Sequence, residues 1–186
     1  MIYLASTSPR RKALLKKAGI RFRILKPDYK EGHLKRAPSQ IVQIHAAKKA
    51  QSCLGQVTDG IILAADTLVY LKGEMIGKPK NLKEAHLILR KLQGKRHAVY
   101  TGVALLKVVK GRVKKRTVFY ERTQVCLKAL TGAAIKSYFK KVDPLDKAGA
   151  YAIQSRRGGI IQKVIGPFSN AVGLPLEKTL KKLRRI

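Results

Sequence analysis

Apolar residues recur along this chain with two periods, and the switches between them outline its elements. Ile2 to Ala5 is a short apolar run that reads as a strand. Pro9 to Ala18 follows as a helix, with Leu14, Leu15 and Ala18 on one face and Gly19 as its stop. Arg21 to Leu25 alternates as a second strand, and the stretch through Asp28, Glu31 and His33 reads as a polar loop. Pro38-Ser-Gln opens a second helix along which Ile41, Ile44, Ala47 and Cys53 are periodic. Gly60 to Ala65 is a buried-type strand that ends at Asp66, and Val69 to Met75 folds back as a tight hairpin through Lys72-Gly73. Asn81 caps a helix to Leu92. Two long strands, His97 to Val109 and Val113 to Leu127, meet at the turn pair Lys110-Gly111. Thr131 caps a helix to Lys141, Gly159 to Ile165 is a late strand, and a basic helix runs from Pro175 to the end. Hairpins beside crossover helices predict an α/β fold with a mixed sheet. No repeat, low-complexity tract or linker divides the sequence, so residues 1–186 read as one domain.

Charge changes this picture more than length does. The 186 residues carry 41 Lys and Arg against 10 Asp and Glu, a formal charge of +31, while 45% apolar content is ample for a core. Such a balance points to polyanion partners and says little about fold. Two cysteines far apart, Cys53 and Cys126, fit buried thiols in a reducing compartment better than a metal or disulfide framework. No membrane span is present, and the N-terminus places its apolar residues before its basic ones, the reverse of a signal peptide. The expected compartment is the cytoplasm.

The candidate chemistry begins at Ser6-Thr-Ser-Pro-Arg-Arg11. Proline suits a first helical position, and the N–H groups there form an anion site. Two guanidiniums in that turn oppose the helix dipole, unless an anion meets them. Asp66, closing an apolar strand, is poorly placed for simple solvation, although a turn-capping role is the structural alternative. Lys49 and Lys78 do not stand out alone among so many lysines. The tract Asp143 to Gln154 combines two acids, a lysine, a glycine free to take special dihedrals, a tyrosine and an amide that can read a base edge. The sequence lacks GxxxxGK[ST], GxGxxG and HExxH, and its four histidines show no ligand spacing.

Taken together, these segments resemble the Maf family of nucleotide pyrophosphatases. The matching pieces are Leu4 to Arg11, Ala46-Ala-Lys-Lys-Ala50, Ala64-Ala-Asp-Thr-Leu-Val69, Ile76-Gly-Lys-Pro79, Thr101-Gly-Val103, Asp143 to Gln154 and Asn170 to Leu176, in family order across nearly the whole chain. The resemblance implies hydrolysis of a nucleoside triphosphate to its monophosphate and pyrophosphate with a divalent metal, Mg²⁺ or Mn²⁺. It also implies an elongated α/β fold like that of inosine-triphosphate pyrophosphatases, a homodimer, and a house-cleaning role in the nucleotide pool. Ser-Pro-Arg-Arg, Ala-Asp-Thr and Ala-Tyr-Ala-Ile-Gln are similar to the branch acting on dTTP and UTP. The branch acting on 7-methyl-GTP carries Trp after the proline and Gln after the aspartate. By that match Arg10, Thr67 and Gln154 set specificity, and Asp66 is the proton acceptor. Ser6, Arg11, Lys49 and Lys78 handle phosphate, and Asp66 and Glu31 hold the metal. Ser155-Arg-Arg157 stand where the family has a glycine. Six of the ten acids (Asp28, Glu31, Asp66, Glu74, Asp143 and Asp146) lie in or beside these motifs.

A carboxylate with an ordinary pKa near ~3.9 is a feeble base at pH 7, which a metal that acidifies water would remedy. Two rival readings remain open. A nucleic-acid-binding protein is suggested by the charge, but the aromatics are sparse, so only weak, sequence-independent binding is expected. An inactive Maf-fold partner protein in division control is the other.

Overall fold

The structure is a computed structural model, which describes residues 1–154 and 159–186. Strand β1 (Ile2–Ala5) leads through a turn into α1 (Pro9–Lys17), β2 (Phe22–Leu25) and α2 (Pro38–Gln51). Then come β3 (Gly60–Leu71), β4 (Glu74–Ile76), α3 (Leu82–Leu92), β5 (Arg96–Val109) and β6 (Arg112–Leu127). The chain closes with α4 (Gly132–Phe139), β7 (Ile161–Ile165), α5 (Phe168–Val172) and α6 (Leu176–Leu183).

The strands form one seven-stranded mixed sheet in the order β2-β1-β3-β5-β6-β7, with β4 also paired to β3. β1 runs parallel to both β2 and β3, whereas β4 and β7 join antiparallel. The expected α/β class with a mixed sheet is therefore what the chain adopts. Both hairpin turns follow from their dipeptides. Lys72-Gly73 and Lys110-Gly111 have φ of 44° and 90°, and of 50° and 70°, the doubly positive pattern of a type I′ turn. Asn81 and Thr131 cap α3 and α4 as expected, accepting from the N–H groups of Glu84 and Ala134.

Several boundaries differ from the sequence reading. β3 does not stop at Ala65: it runs twelve residues to Leu71, so Asp66 lies inside the strand and not at its end. Beyond Asp66-Thr67 the strand finds partners distant in sequence: Val69–Leu71 pairs with β4, and β5 also neighbours β3, gains that periodicity does not register. α2 ends at Gln51, before Cys53, which is nevertheless fully buried beyond it. α4 and α6 stop at Phe139 and Leu183, β7 starts at Ile161, and the short helix α5 was not predicted. Ser155-Arg-Arg157 lie outside the described residues.

Two compact units can be distinguished. The first comprises Met1–Thr67, Thr101–Glu121 and Gly173–Ile186. Its core is rich in alanine where α2 meets the sheet: Ala46, Ala47 and Ala50 of α2 are buried with Ala5 of β1, Ile62 and Ala64 of β3, and Ala104, Leu106 and Val108 of β5. Strand alternation puts Gly102 on the same face as Ala104, and there the α2 backbone leaves no room for a side chain. A Cβ on Gly102 would collide with the carbonyl group of Val42 and lie 2.6 Å from the backbone nitrogen of Gln43. The second unit, Leu68–Tyr100 and Arg122–Val172, buries Ala85, Leu89 and Leu92 of α3 and Ile135 and Tyr138 of α4. No helix of the described residues is long and apolar enough to cross a membrane.

Gly102→Ala should therefore destabilise the protein by at least ~3 kcal/mol, the upper range for overpacking, because the obstacle is backbone and not a movable side chain. Urea unfolding followed by circular dichroism measures it, and a loss below about 1 kcal/mol would mean that α2 can lift from the sheet at little cost.

Candidate active site

In the first unit the strand order reverses at β1, which has β2 on one side and β3 on the other, and α/β sheets hold ligands at such switch points. Ser6 leaves the end of β1 here, and Asp66 and Thr67 lie on β3. Successive strand residues point to opposite faces, so these two neighbours serve different clusters.

Asp66 shares its face with Ile62 and Ala64, the face covered by α2. Its Oδ1 accepts a 2.6 Å hydrogen bond from Lys49 Nζ, which also donates to Glu31 Oε1. Lys49 and Asp66 are largely enclosed, whereas the Glu31 side chain is half exposed. Lys49 sits in the last turn of α2, where the helix dipole favours a cation. Partial burial pushes the Glu31 carboxyl up, but the charge and hydrogen bond of Lys49, with smaller help from the neighbouring Asp66 and His45, outweigh it and hold the group below its ordinary value. The loop bearing Glu31 is docked onto α2 through Tyr29, whose hydroxyl bonds His45 Nδ1 at 2.8 Å and whose ring faces Lys48 Nζ at 5.8 Å. Desolvation and the charges of Glu31 and Asp66 push the Tyr29 phenol up, so it remains protonated.

Thr67 belongs to a second cluster. Arg11 donates from Nη2 to Thr67 Oγ1 at 3.1 Å, from Nη1 to Ser6 Oγ at 3.2 Å, and from Nε to the Gly173 carbonyl at 2.8 Å. Thr67 Oγ1 also lies 3.0 Å from Thr101 Oγ1, and Ser6 Oγ accepts from the Ser8 N–H at 3.2 Å. Desolvation pulls Arg11 below its ordinary value and Arg10 adds to this, while Asp66 and Glu31 oppose it; a guanidinium stays charged throughout. Arg11 thus ties the turn after β1 to β3 and to the segment before α6, and part of its fork is committed to protein groups.

The first unit thus assembles Ser6, Arg11, Glu31, Lys49, Asp66 and Thr67, with Arg10 beside Arg11 in the first turn of α1. Lys78 and Gln154 belong to the second unit, where both are exposed. There the Gly149 N–H donates to the Gly77 carbonyl at 3.0 Å, joining the Lys78 segment to the Asp143–Gln154 tract. Gly149 has φ +75°, the special dihedral expected of it, and Ala150 follows at +61°. Tyr151 is buried and bonds His97 Nε2 at 2.7 Å, and the Ala152 N–H donates to Tyr138 Oη at 2.8 Å. Burial lowers His97 to about 4, only partly offset by the nearby Lys95 backbone, and burial together with Tyr138 raises the Tyr151 phenol. Thr101, Gly173, Tyr29 and His45 were not singled out as site residues. Thr101 and Gly173 lie inside matched motifs, and His45 stands one helical turn before Lys49, which were the available signals.

A family profile described as Maf-like protein matches residues 1–186. The chain belongs to the Maf family. This Maf chain is 41% identical over 183 residues to a protein of Carboxydothermus hydrogenoformans named dTTP/UTP pyrophosphatase, covering 98% of this chain and 97% of that one. A protein of the same name from Pelotomaculum thermopropionicum is 41% identical over 187 residues, with 99% and 95% covered. Among solved structures, the Ham1 protein of Staphylococcus aureus aligns with 99% of this chain and 97% of its own, at 15% identity and a TM-score of 0.46.

His97 yields a prediction about the fold around the Maf tract. Its folded value of about 4 lies below the ordinary 6.5, so the neutral form is what the folded state accommodates. The associated stability is complete above pH 6.5 and is lost as pH falls toward 4, a total on the order of 3 kcal/mol. Urea unfolding at pH 7, 5.5 and 4.5 should show that decline, and His97→Gln should flatten it.

Proposed function

We propose that this Maf chain converts dTTP and UTP to the monophosphate and pyrophosphate. The named relatives set the substrate class, since they match over nearly the full length at about 41% identity. The observation that carries the chemistry is the convergence of Asp66 and Glu31 on Lys49 Nζ at the β1/β3 switch point.

Two carboxylates already arranged around one positive charge fit magnesium or manganese, which prefer oxygen donors and commonly use one or two carboxylates plus substrate phosphates. Among the described residues no group of three or more His, Cys, Asp and Glu gathers, and Asp66 and Glu31, which meet at Lys49, are the pair that would hold the ion together with substrate phosphates. When bound, the ion supplies Lewis acidity that makes water a competent nucleophile at neutral pH. Asp66 orients the water that attacks the α-phosphorus and accepts its proton. Lys49, released from the carboxylates, neutralises a phosphate oxygen, and the Arg10 guanidinium and the Ser6 hydroxyl stabilise charge that builds on the departing pyrophosphate. Arg11 holds the turn that presents them and contributes its charge. Lys78, as a further phosphate ligand, and Gln154, as reader of the pyrimidine edge, enter on the family resemblance.

With Mg²⁺ or Mn²⁺, dTTP and UTP should yield pyrophosphate. Orthophosphate with the diphosphate would place attack at the γ-phosphorus and overturn the assignment. Asp66→Asn should lower kcat by at least ~10²-fold with the melting temperature little changed. Glu31→Gln should raise the Mn²⁺ concentration for half-maximal activity, and should weaken thermal stabilisation by Mn²⁺ alone. Gln154→Ala should reduce kcat/KM for dTTP and UTP far more than for purine nucleotides, because a site built on paired hydrogen bonds discriminates when one is unmade. An equal loss on every nucleotide would remove Gln154 from the specificity role.

A further inference from the structure

The positive charge is not spread evenly over the first unit. Between Lys107 and Arg116 the sequence carries Lys107, Lys110, Arg112, Lys114, Lys115 and Arg116 with no acid, and from Lys178 onward it carries five more cations with none. The structure brings these two stretches together. Lys107 Nζ donates to a main-chain oxygen of Ile186, the last residue, at 2.8 Å and Lys115 Nζ to the Arg185 carbonyl at 2.6 Å, so the end of the α6 segment lies against the β5–β6 hairpin.

The first five residues of β6, Arg112 to Arg116, are all exposed, which is unusual for a strand within a sheet. Alternation puts Arg112, Lys114 and Arg116 on one side at intervals of about 6.6 Å, a spacing on the scale of successive backbone phosphates. Nearby carboxylates are few: Asp59 accepts from the Lys110 N–H, Glu121 pairs with Lys178, and Glu177 lies in the first turn of α6, at the opposite end from Arg184 and Arg185. Lys178 also donates to the Tyr120 carbonyl, which fixes α6 to β6 at its other end.

We propose that this face, formed by the β5–β6 hairpin and the end of α6, binds the phosphate backbone of nucleic acid without reading sequence. Charge complementarity identifies the partner, since eleven cations in two acid-free stretches match a continuous polyanion better than a single triphosphate. An anionic membrane fits less well. Val113 is the one large apolar side chain exposed between Lys107 and Arg116, whereas surface helices that enter the interface present a whole apolar face. Base stacking plays at most a small part, because the chain has no Trp and the two stretches contain no aromatic residue, Tyr120 further along β6 being the exposed ring on that strand.

The test uses the full chain and a fluorescein-labelled 20-nucleotide DNA, single-stranded and duplex, followed by anisotropy across 25–300 mM salt. Arg112→Gln/Lys114→Gln/Arg116→Gln should weaken binding at least ~10-fold at low salt and make the salt slope shallower by about 0.9 for each phosphate contact removed from the duplex. Lys181→Gln/Arg184→Gln/Arg185→Gln, on the helix end, should do the same, so a folding failure in the strand variant leaves the second in place. Lys136→Gln/Lys140→Gln/Lys141→Gln removes equal charge from the other unit and should change binding by less than twofold. Melting temperature and dTTP hydrolysis should be unchanged in all three. Equal losses in the three variants would show that net charge alone acts, and would overturn the proposal. So would tighter capture by vesicles containing phosphatidylserine than by DNA, or no DNA binding at 25 mM salt.

Discussion

The arrangement of the first unit depends on how closely α2 can approach the sheet. At Gly102 the helix backbone occupies the space a side chain would need, and the alanines of α2 face alanines on β1, β3 and β5. Alanine loses no rotamer freedom on burial and has no second position to adopt, so such an interface has little latitude. Lys49 projects from the last turn of this seated helix, and its ammonium meets Asp66 at 2.6 Å. The same seating fixes His45, which anchors Tyr29 and with it the loop that carries Glu31. A packing constraint among the smallest side chains thereby sets the geometry of the largest charges.

That arrangement also explains how a carboxylate pair persists in so basic a chain. With 41 cationic side chains available, Asp66 and Glu31 share one of them, on a helix end whose dipole favours a positive charge. Arg11 influences both acids through space but spends its hydrogen bonds on Ser6, Thr67 and Gly173. Excess charge elsewhere is solvated or gathered on the hairpin and α6, away from these short contacts, and screening by salt acts on the exposed charges first.

Features written in local chemistry were legible from residues alone. The turn pairs Lys72-Gly73 and Lys110-Gly111, the caps Asn81 and Thr131, and the mixed sheet all follow from nearest-neighbour rules. Asp66 stood out as a carboxylate closing an apolar run, whereas Lys49 and Glu31 were reached through motif resemblance, since a single lysine among so many carries no signal. What stayed hidden depends on partners distant in sequence. Asp66 looked like a strand end because its charge interrupts an apolar run, yet the strand continues past it to Leu71, where β4 pairs with it. Gly102 looked like any strand glycine, because its reason is the backbone of Val42. Arg11 read as a phosphate ligand, and its bond to Gly173, near the other end of the chain, appears only in three dimensions.

The opposed orientation of Asp66 and Thr67 has a consequence for how such a chain can change over generations. Loops can lengthen or shorten freely, but β3 behaves like a reading frame: one inserted or deleted residue upstream of Asp66 would exchange the two faces. The carboxylate would then enter the territory of Arg11, and the hydroxyl that of Lys49. Point substitutions on either face can be sampled independently, whereas length changes within β3 disable both at once. Descendants of this sequence should therefore diversify by substitution along β3 and by insertion only beyond its ends.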